Sequence, residues 1–292
     1  MNPNKEASRS LAEIAQRPSA NSWNSSPDDT LTLIALGLLA YVISNVLHEG
    51  LGHGGVAWLS GATKMVLTST YLDADRSNRW IEAGGTLVNL LAGLLCWGAL
   101  RGMRTRGFAP RFFVWLLAAF NLLLGTGYFL FSGIGGIGDW AAVIAGFRHI
   151  WAWRAGLTLL GIVTYGASMW LLALELARLI PAQPAGMKSR LRHLTLTPYL
   201  AAGLTACAAG ARNPMGWKLV LISAAASSFG GAYGLLRIPG ITLRAQRHIR
   251  SGKASGGTAA TLRRNCFIIG IAALVLLADV LVLGRGITIH VH

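Results

Sequence analysis

The chain has 292 residues, of which 53% are hydrophobic and only 13% charged, with a mean hydropathy of +0.50. Soluble domains carry about 25% charged residues, so this composition excludes an ordinary water-soluble domain and points to lipid as the solvent. The net charge of +15 lies between apolar runs, as the positive-inside rule requires of a membrane protein. No aromatic-interleaved basic patch occurs, which excludes nucleic acid as the partner.

Residues 1–30 are polar and rich in Ser, Asn and Pro, and read as a disordered tail rather than a signal peptide. Seven apolar runs follow, at 31–47, 83–100, 112–138, 155–174, 194–211, 219–236 and 265–278, the last interrupted by Asp279. A spanning helix needs about 20 mostly apolar residues. The pattern predicts an all-α, polytopic transmembrane bundle of seven spans, or six if 194–236 forms one span. Residues 31–180 form the expected membrane core and 181–193 a basic linker. Residues 194–292 form additional transmembrane helices, with a basic loop at 237–264 placed to touch anionic lipid. Trp80, Trp140, Trp151, Trp153 and Trp217 sit at run ends, as an interfacial belt does. With seven spans the N-terminal side carries 18 Lys and Arg and the opposite side 8, which makes the N-terminal side cytoplasmic. Cys96, Cys207 and Cys266 are scattered through apolar segments and suggest neither a disulfide framework nor a thiolate metal site.

His48 and Glu49 follow the first apolar run without a break, and His53 comes five residues after His48. Ionisable groups at such depth cost roughly 2.5–3.5 kcal/mol each on insertion, and mark function by default. Two imidazoles and an adjacent carboxylate suit metal-assisted hydrolysis, with the carboxylate taking a proton from the activated water. A hydrogen-bonded buried His pair is the plain structural alternative. The i, i+5 spacing places the two histidines about 140° apart on a regular α-helix, too far to share a metal. A π-bulge restores the convergence, and Gly50 and Gly52 tolerate that backbone distortion.

The segment His-Glu-Gly-Leu-Gly-His-Gly-Gly-Val-Ala, beginning at His48, resembles the active-site helix of the site-2 protease family of intramembrane zinc metalloproteases. Its inserted residue resembles the His-Glu-x-x-x-His variant of dipeptidyl peptidase III-type enzymes. The family continues with a membrane-associated hairpin, here 61–80, with Val66–Tyr71 strand-like. It then has a helix opening with Ala-Gly-Pro and an Asn, here Ala83-Gly84-Gly85 with Asn89, so that Gly85 replaces the proline. The family's third ligand is an Asp in an Asp-Gly setting; here Asp139 follows the third run and Trp140 replaces the glycine. The resemblance covers about 31–150. It implies one zinc ion held by His48, His53 and Asp139, Glu49 as general base, and Asn89 as a donor to the oxyanion or substrate. It also implies a transmembrane protein as substrate. The plasma membrane of a bacterium is the expected location. The family places its metal nearer the cytoplasmic face, whereas the charge bias here places the site nearer the opposite one.

Because the first and third runs point the same way, His48 and Asp139 share a depth, His48 lying about 26 Å along from residue 31. Gly133–Gly138 lets the backbone turn sharply and bring Asp139 inward. Asn89 and Asn121 have interhelical hydrogen bonding as their structural role. Glu175 pairs with Arg178 across three residues, while Asp279 has no evident partner. The leading expectation is a zinc-dependent intramembrane endopeptidase. A non-catalytic relative acting as a membrane chaperone or regulator comes second, and a metal transporter third.

Overall fold

The computed structural model describes residues 28–180, 186–213, 216, 220–250 and 261–291. The expected tail falls outside them up to residue 27, as does Trp217. The chain is mostly helical. Five helices are long and apolar enough to cross a membrane: α1 (Thr30–Leu59), α2 (Arg79–Gly102), α3 (Phe108–Gly135), α5 (Ile150–Leu179) and α9 (Cys266–Leu283). That is two fewer than the seven runs suggest. A short α4 (Asp139–Val143) follows α3.

The remaining runs lie on α6 (Met187–Gly210) and on α7 (Val220–Gly230) followed by α8 (Gly234–Arg250). α6 is long enough but is less apolar than the other five, with charged residues at its start and Pro198 within it, while the break after Gly230 leaves α7 and α8 too short, at 11 and 17 residues. The expected basic linker is already helical from Met187. The expected loop at 237–264 is helical as far as Arg250.

α3 forms the centre of the bundle. Phe112, Trp115, Leu116, Phe120 and Leu123 are fully buried, and the Trp115 indole N–H donates to the Leu172 carbonyl of α5. The outward faces are apolar too. Leu91 and Leu95 of α2, Ile162 and Val163 of α5, and Phe267 and Leu274 of α9 are all exposed. An apolar exterior around an apolar core is what lipid, rather than water, stabilises.

Contacts at the ends define how the helices run. Asp28 takes a bidentate pair from Arg190 at the start of α6 and accepts the Leu262 amide ahead of α9. The Asn265 amide donates to Thr32. α1, α6 and α9 therefore start at one end. α6 finishes where Gly284, just past α9, lies against the Ala209 carbonyl. α7 starts at that far end, where Ser223 donates to the Thr70 carbonyl, and α8 finishes at the near end, where Gln246 donates to the Ile180 carbonyl. α6 packs on α1 through Gly37, where a Cβ would come within 2.6 Å of the Pro198 backbone.

The break between α7 and α8 is held by one side chain. The Tyr165 hydroxyl donates to the Gly231 carbonyl and accepts the Gly234 amide, both at 2.7 Å. Irregular backbone at this depth persists only where such partners are supplied. Tyr165→Phe is expected to destabilise the fold by about 1–3 kcal/mol, read as a lowered midpoint of thermal unfolding in detergent.

At the far end, β1 (Lys64–Leu67) and β2 (Leu72–Ala74) form a hairpin, and β3 (Ile287–His290) adds to the other side of β1 in the order β2-β1-β3, all antiparallel. The expected strand Val66–Tyr71 is corrected: its second half is the turn, where the Thr68 hydroxyl caps the Thr70 and Tyr71 amides. The hairpin base is closed by Asp75, whose carboxyl the Thr63 hydroxyl holds below its ordinary range. The Asn45 amide of α1 donates to the Ser69 carbonyl at 2.6 Å, which pins the turn against the helix that carries His48.

Candidate metal centre

Within α1 the residues Leu47–Gly54 are π-helical, eight residues rather than a single bulge. In a π-helix the hydrogen bonds link residues five apart, so His48 and His53 lie on one face. The positions foreseen for distortion separate on inspection. Gly50 has only ordinary contacts available to a Cβ, at 3.8 Å. Gly52 serves close packing, since its Cβ would come within 2.5 Å of the Gly85 Cα. Small residues permit this approach of two membrane helices.

The third group arrives by a sharp turn. α3 ends in the left-handed Gly136 (φ 68°), and Gly138 (φ 85°) follows before α4 begins at Asp139. Only glycine adopts such angles without strain. Arg154 of α5 donates to the terminal carbonyls Gly133 and Ile134, which fixes the end of α3.

These elements bring His48, His53 and Asp139 together, and the three residues could hold a metal ion. The separations are 3.3 Å between the two Nε2 atoms, 3.2 Å from His48 Nε2 to Asp139 Oδ2, and 3.5 Å from His53 Nε2 to the same oxygen. Tetrahedral zinc with bonds of about 2.0–2.1 Å separates its ligand atoms by about 3.3 Å. Hydrogen bonds alone explain the trio poorly. His53 Nδ1 lies 2.6 Å from the Ile81 carbonyl, which only accepts, so Nδ1 carries a proton and Nε2 is the atom left to face a metal. Asp139 Oδ2, 3.2 and 3.5 Å from the two Nε2 atoms, is buried and receives no well-formed hydrogen bond. The Ile81 contact also orients His53, as outer partners of metal-bound histidines do.

Gly85 bounds the space between the ligands. A Cβ there would fall 2.5 Å from His53 Nε2 and 2.7 Å from His48 Nε2. Sequence reasoning registered Gly85 only as a missing proline. It also missed Tyr128, whose ring stacks on His48 with centroids 4.7 Å apart.

Glu49 is buried and lines a cavity of about 220 Å³ together with His53, Asp139, Tyr128 and the hairpin residues Tyr71 and Leu72. The Leu72 amide lies against its carboxylate. Asn89 does not line this cavity. It is buried between α2 and α3 with both side-chain polar atoms unpartnered, one helical turn beyond Gly85. The structure therefore does not bring it to the reacting position foreseen for it. Asn121 has the interhelical role expected, donating to Ser44 at 2.7 Å, and Glu175 pairs with Arg178 at 2.6 Å. Trp140 packs on Phe129 beside the turn. Asp279 is buried in the π-helical end of α9, and we have no physical account of it.

No protein-family model, curated protein or solved structure matches the chain.

Proposed function

We propose that the protein is a zinc-dependent intramembrane endopeptidase with a site-2-protease-like core, cleaving transmembrane or membrane-adjacent protein segments. The observation that carries this reading is the tetrahedral spacing of His48, His53 and Asp139 with Glu49 on the wall of the cavity that His53 and Asp139 also line. In this reading α6 and the α7–α8 pair complete seven crossings, since each runs from one end of the bundle to the other.

Zinc supplies Lewis-acid activation of water and of the scissile carbonyl. The protein's own groups do the rest. His48 and His53 would hold the ion through their Nε2 atoms and Asp139 through a carboxylate oxygen. Glu49 takes one proton from water as the oxygen bonds to the carbonyl carbon, and delivers it to the amide nitrogen as the C–N bond breaks. Peptide carbonyls in a helix are already hydrogen-bonded, so the substrate must be extended. β2 supports that requirement. Its bonds to β1 run through Thr68–Tyr71 and Lys64–Asp75, so Leu72 and Ala74 direct their backbone groups to the outer edge, beside Glu49. Strand addition there places an extended segment at the cavity.

The test is metal analysis joined to cleavage. About one zinc per chain is expected in the wild type and in Glu49→Gln, with little in His48→Ala. Appearance of new peptide termini in a membrane-protein extract incubated with the purified protein should fall about 100- to 10,000-fold in Glu49→Gln. A metal-free wild type, or bound iron, which the same donor set also suits, sinks the zinc reading. Zinc without Glu49-dependent cleavage supports a metal-holding chaperone or regulator instead.

A further inference from the structure

A second cavity, of about 460 Å³, lies between α3, α5 and α7. Its walls are apolar or small: Leu124, Leu130, Ile134, Ala226 and Gly230. Ligand pockets typically enclose about 300–1,000 Å³, so this one holds a large group. Tyr128, Phe131 and Ser227 line both this cavity and the one that contains Glu49 and His53. The two spaces therefore share a wall, and the shared Tyr128 stacks directly on His48. Toward the outside the cavity opens past Ile134 and Tyr233, which are 67% and 50% exposed. Its floor is the α7–α8 break that Tyr165 closes.

We infer that this cavity is a specificity subsite which receives a long apolar side chain of the substrate, next to the peptide bond held at His48, His53 and Asp139. The inference rests on the protease reading and adds the kind of residue selected. None of the three ligands lines this cavity, but a group filling it would touch Tyr128 and Phe131, which also line the cavity of Glu49, His53 and Asp139, and so would lie one side chain away from His48. None of the described residues lining the larger cavity is charged. A charged side chain would lose its hydration there with no partner, whereas an apolar one fills the space. The cavity accordingly selects against Asp, Glu, Lys and Arg beside the cleaved bond.

Hydroxamates of different chain length test this without a known substrate, because the head binds metal and the alkyl chain probes the subsite. Calorimetry on zinc-loaded protein in detergent would compare acetohydroxamate with octanohydroxamate, in wild type and in Gly230→Leu. Gly230 lines the cavity and a Cβ there meets no atom within 4 Å, so the added side chain has open space beside it. Ala226→Leu on the same helix is the second variant. Burial of each methylene is worth about fourfold in affinity, so displacing two of them lowers the octano-to-aceto affinity ratio about 15-fold. Partitioning into micelles cancels between proteins. The expected result is that lowered ratio in both variants, with acetohydroxamate affinity unchanged. An equal ratio in all three proteins, with acetohydroxamate bound, overturns the subsite and leaves the metal centre standing. No acetohydroxamate binding at all removes the metal reading, and the subsite falls with it.

Discussion

Gly85→Ala is expected to abolish zinc binding although it removes no ligand. The added carbon would sit 2.5 Å from His53 Nε2 and 2.7 Å from His48 Nε2, inside the space a zinc ion with bonds of about 2.0–2.1 Å needs. Neither ring can retreat freely. His53 is anchored to the Ile81 carbonyl and His48 is stacked on Tyr128. A retreat of α2 would break the backbone-to-backbone packing of Gly84 on Gly52. Gly98→Ala on the same helix is the control, since nothing lies within 4 Å of its Cβ. Metal content by mass spectrometry, with unfolding midpoints showing both variants folded, checks the result. Near-stoichiometric zinc in Gly85→Ala would show that the metal lies elsewhere.

Asp139→Ala is the second large effect. It leaves the two imidazoles without the carboxylate that completes the trio. Loss of an outer-shell partner alone costs 10–100-fold in metal affinity, so loss of a direct ligand should exceed about 100-fold. The effect also depends on the turn that delivers the carboxylate. Gly138→Ala places a side chain at φ 85° and against the Phe131 ring, so it should weaken zinc as well while leaving the Asp in place. Competition against a zinc chelator measures both. An Asp139→Ala protein that holds zinc as the wild type does would exclude this residue from the ligand set.

His48, Glu49 and His53 were legible in the sequence because buried ionisable residues are costly and rare, whereas Asp139 was singled out through the resemblance of its setting to the site-2 protease family's third ligand. Their shared depth followed from counting residues along parallel runs. The need for a π-helical segment followed from spacing alone. Gly85 was not legible, because its role is the space it leaves between two other helices, and no local pattern encodes that. The hairpin turn was misplaced because Thr68, Thr70 and Tyr71 favour strands by propensity, while the Thr68 hydroxyl turns the chain through its own hydrogen bonds. β3 did carry a signal, the alternating β-branched Ile287-Thr288-Ile289, but its partner lies far away in the sequence. Helices α6 to α8 were blurred by Pro198, Pro239 and the basic residues within them, which lower the hydropathy without preventing helix formation.

The pairing of Lys64 with His290 and of Leu67 with Ile287 sets a timetable for the newborn chain. Some 220 residues separate the partners, and synthesis proceeds at about 5–20 residues per second, so β1 waits roughly 11 to 45 seconds for its neighbour. Throughout that interval one flank of the hairpin beside the metal ligands stands open to any extended polypeptide at the membrane surface. The sheet closes only when the chain has been translated through β3.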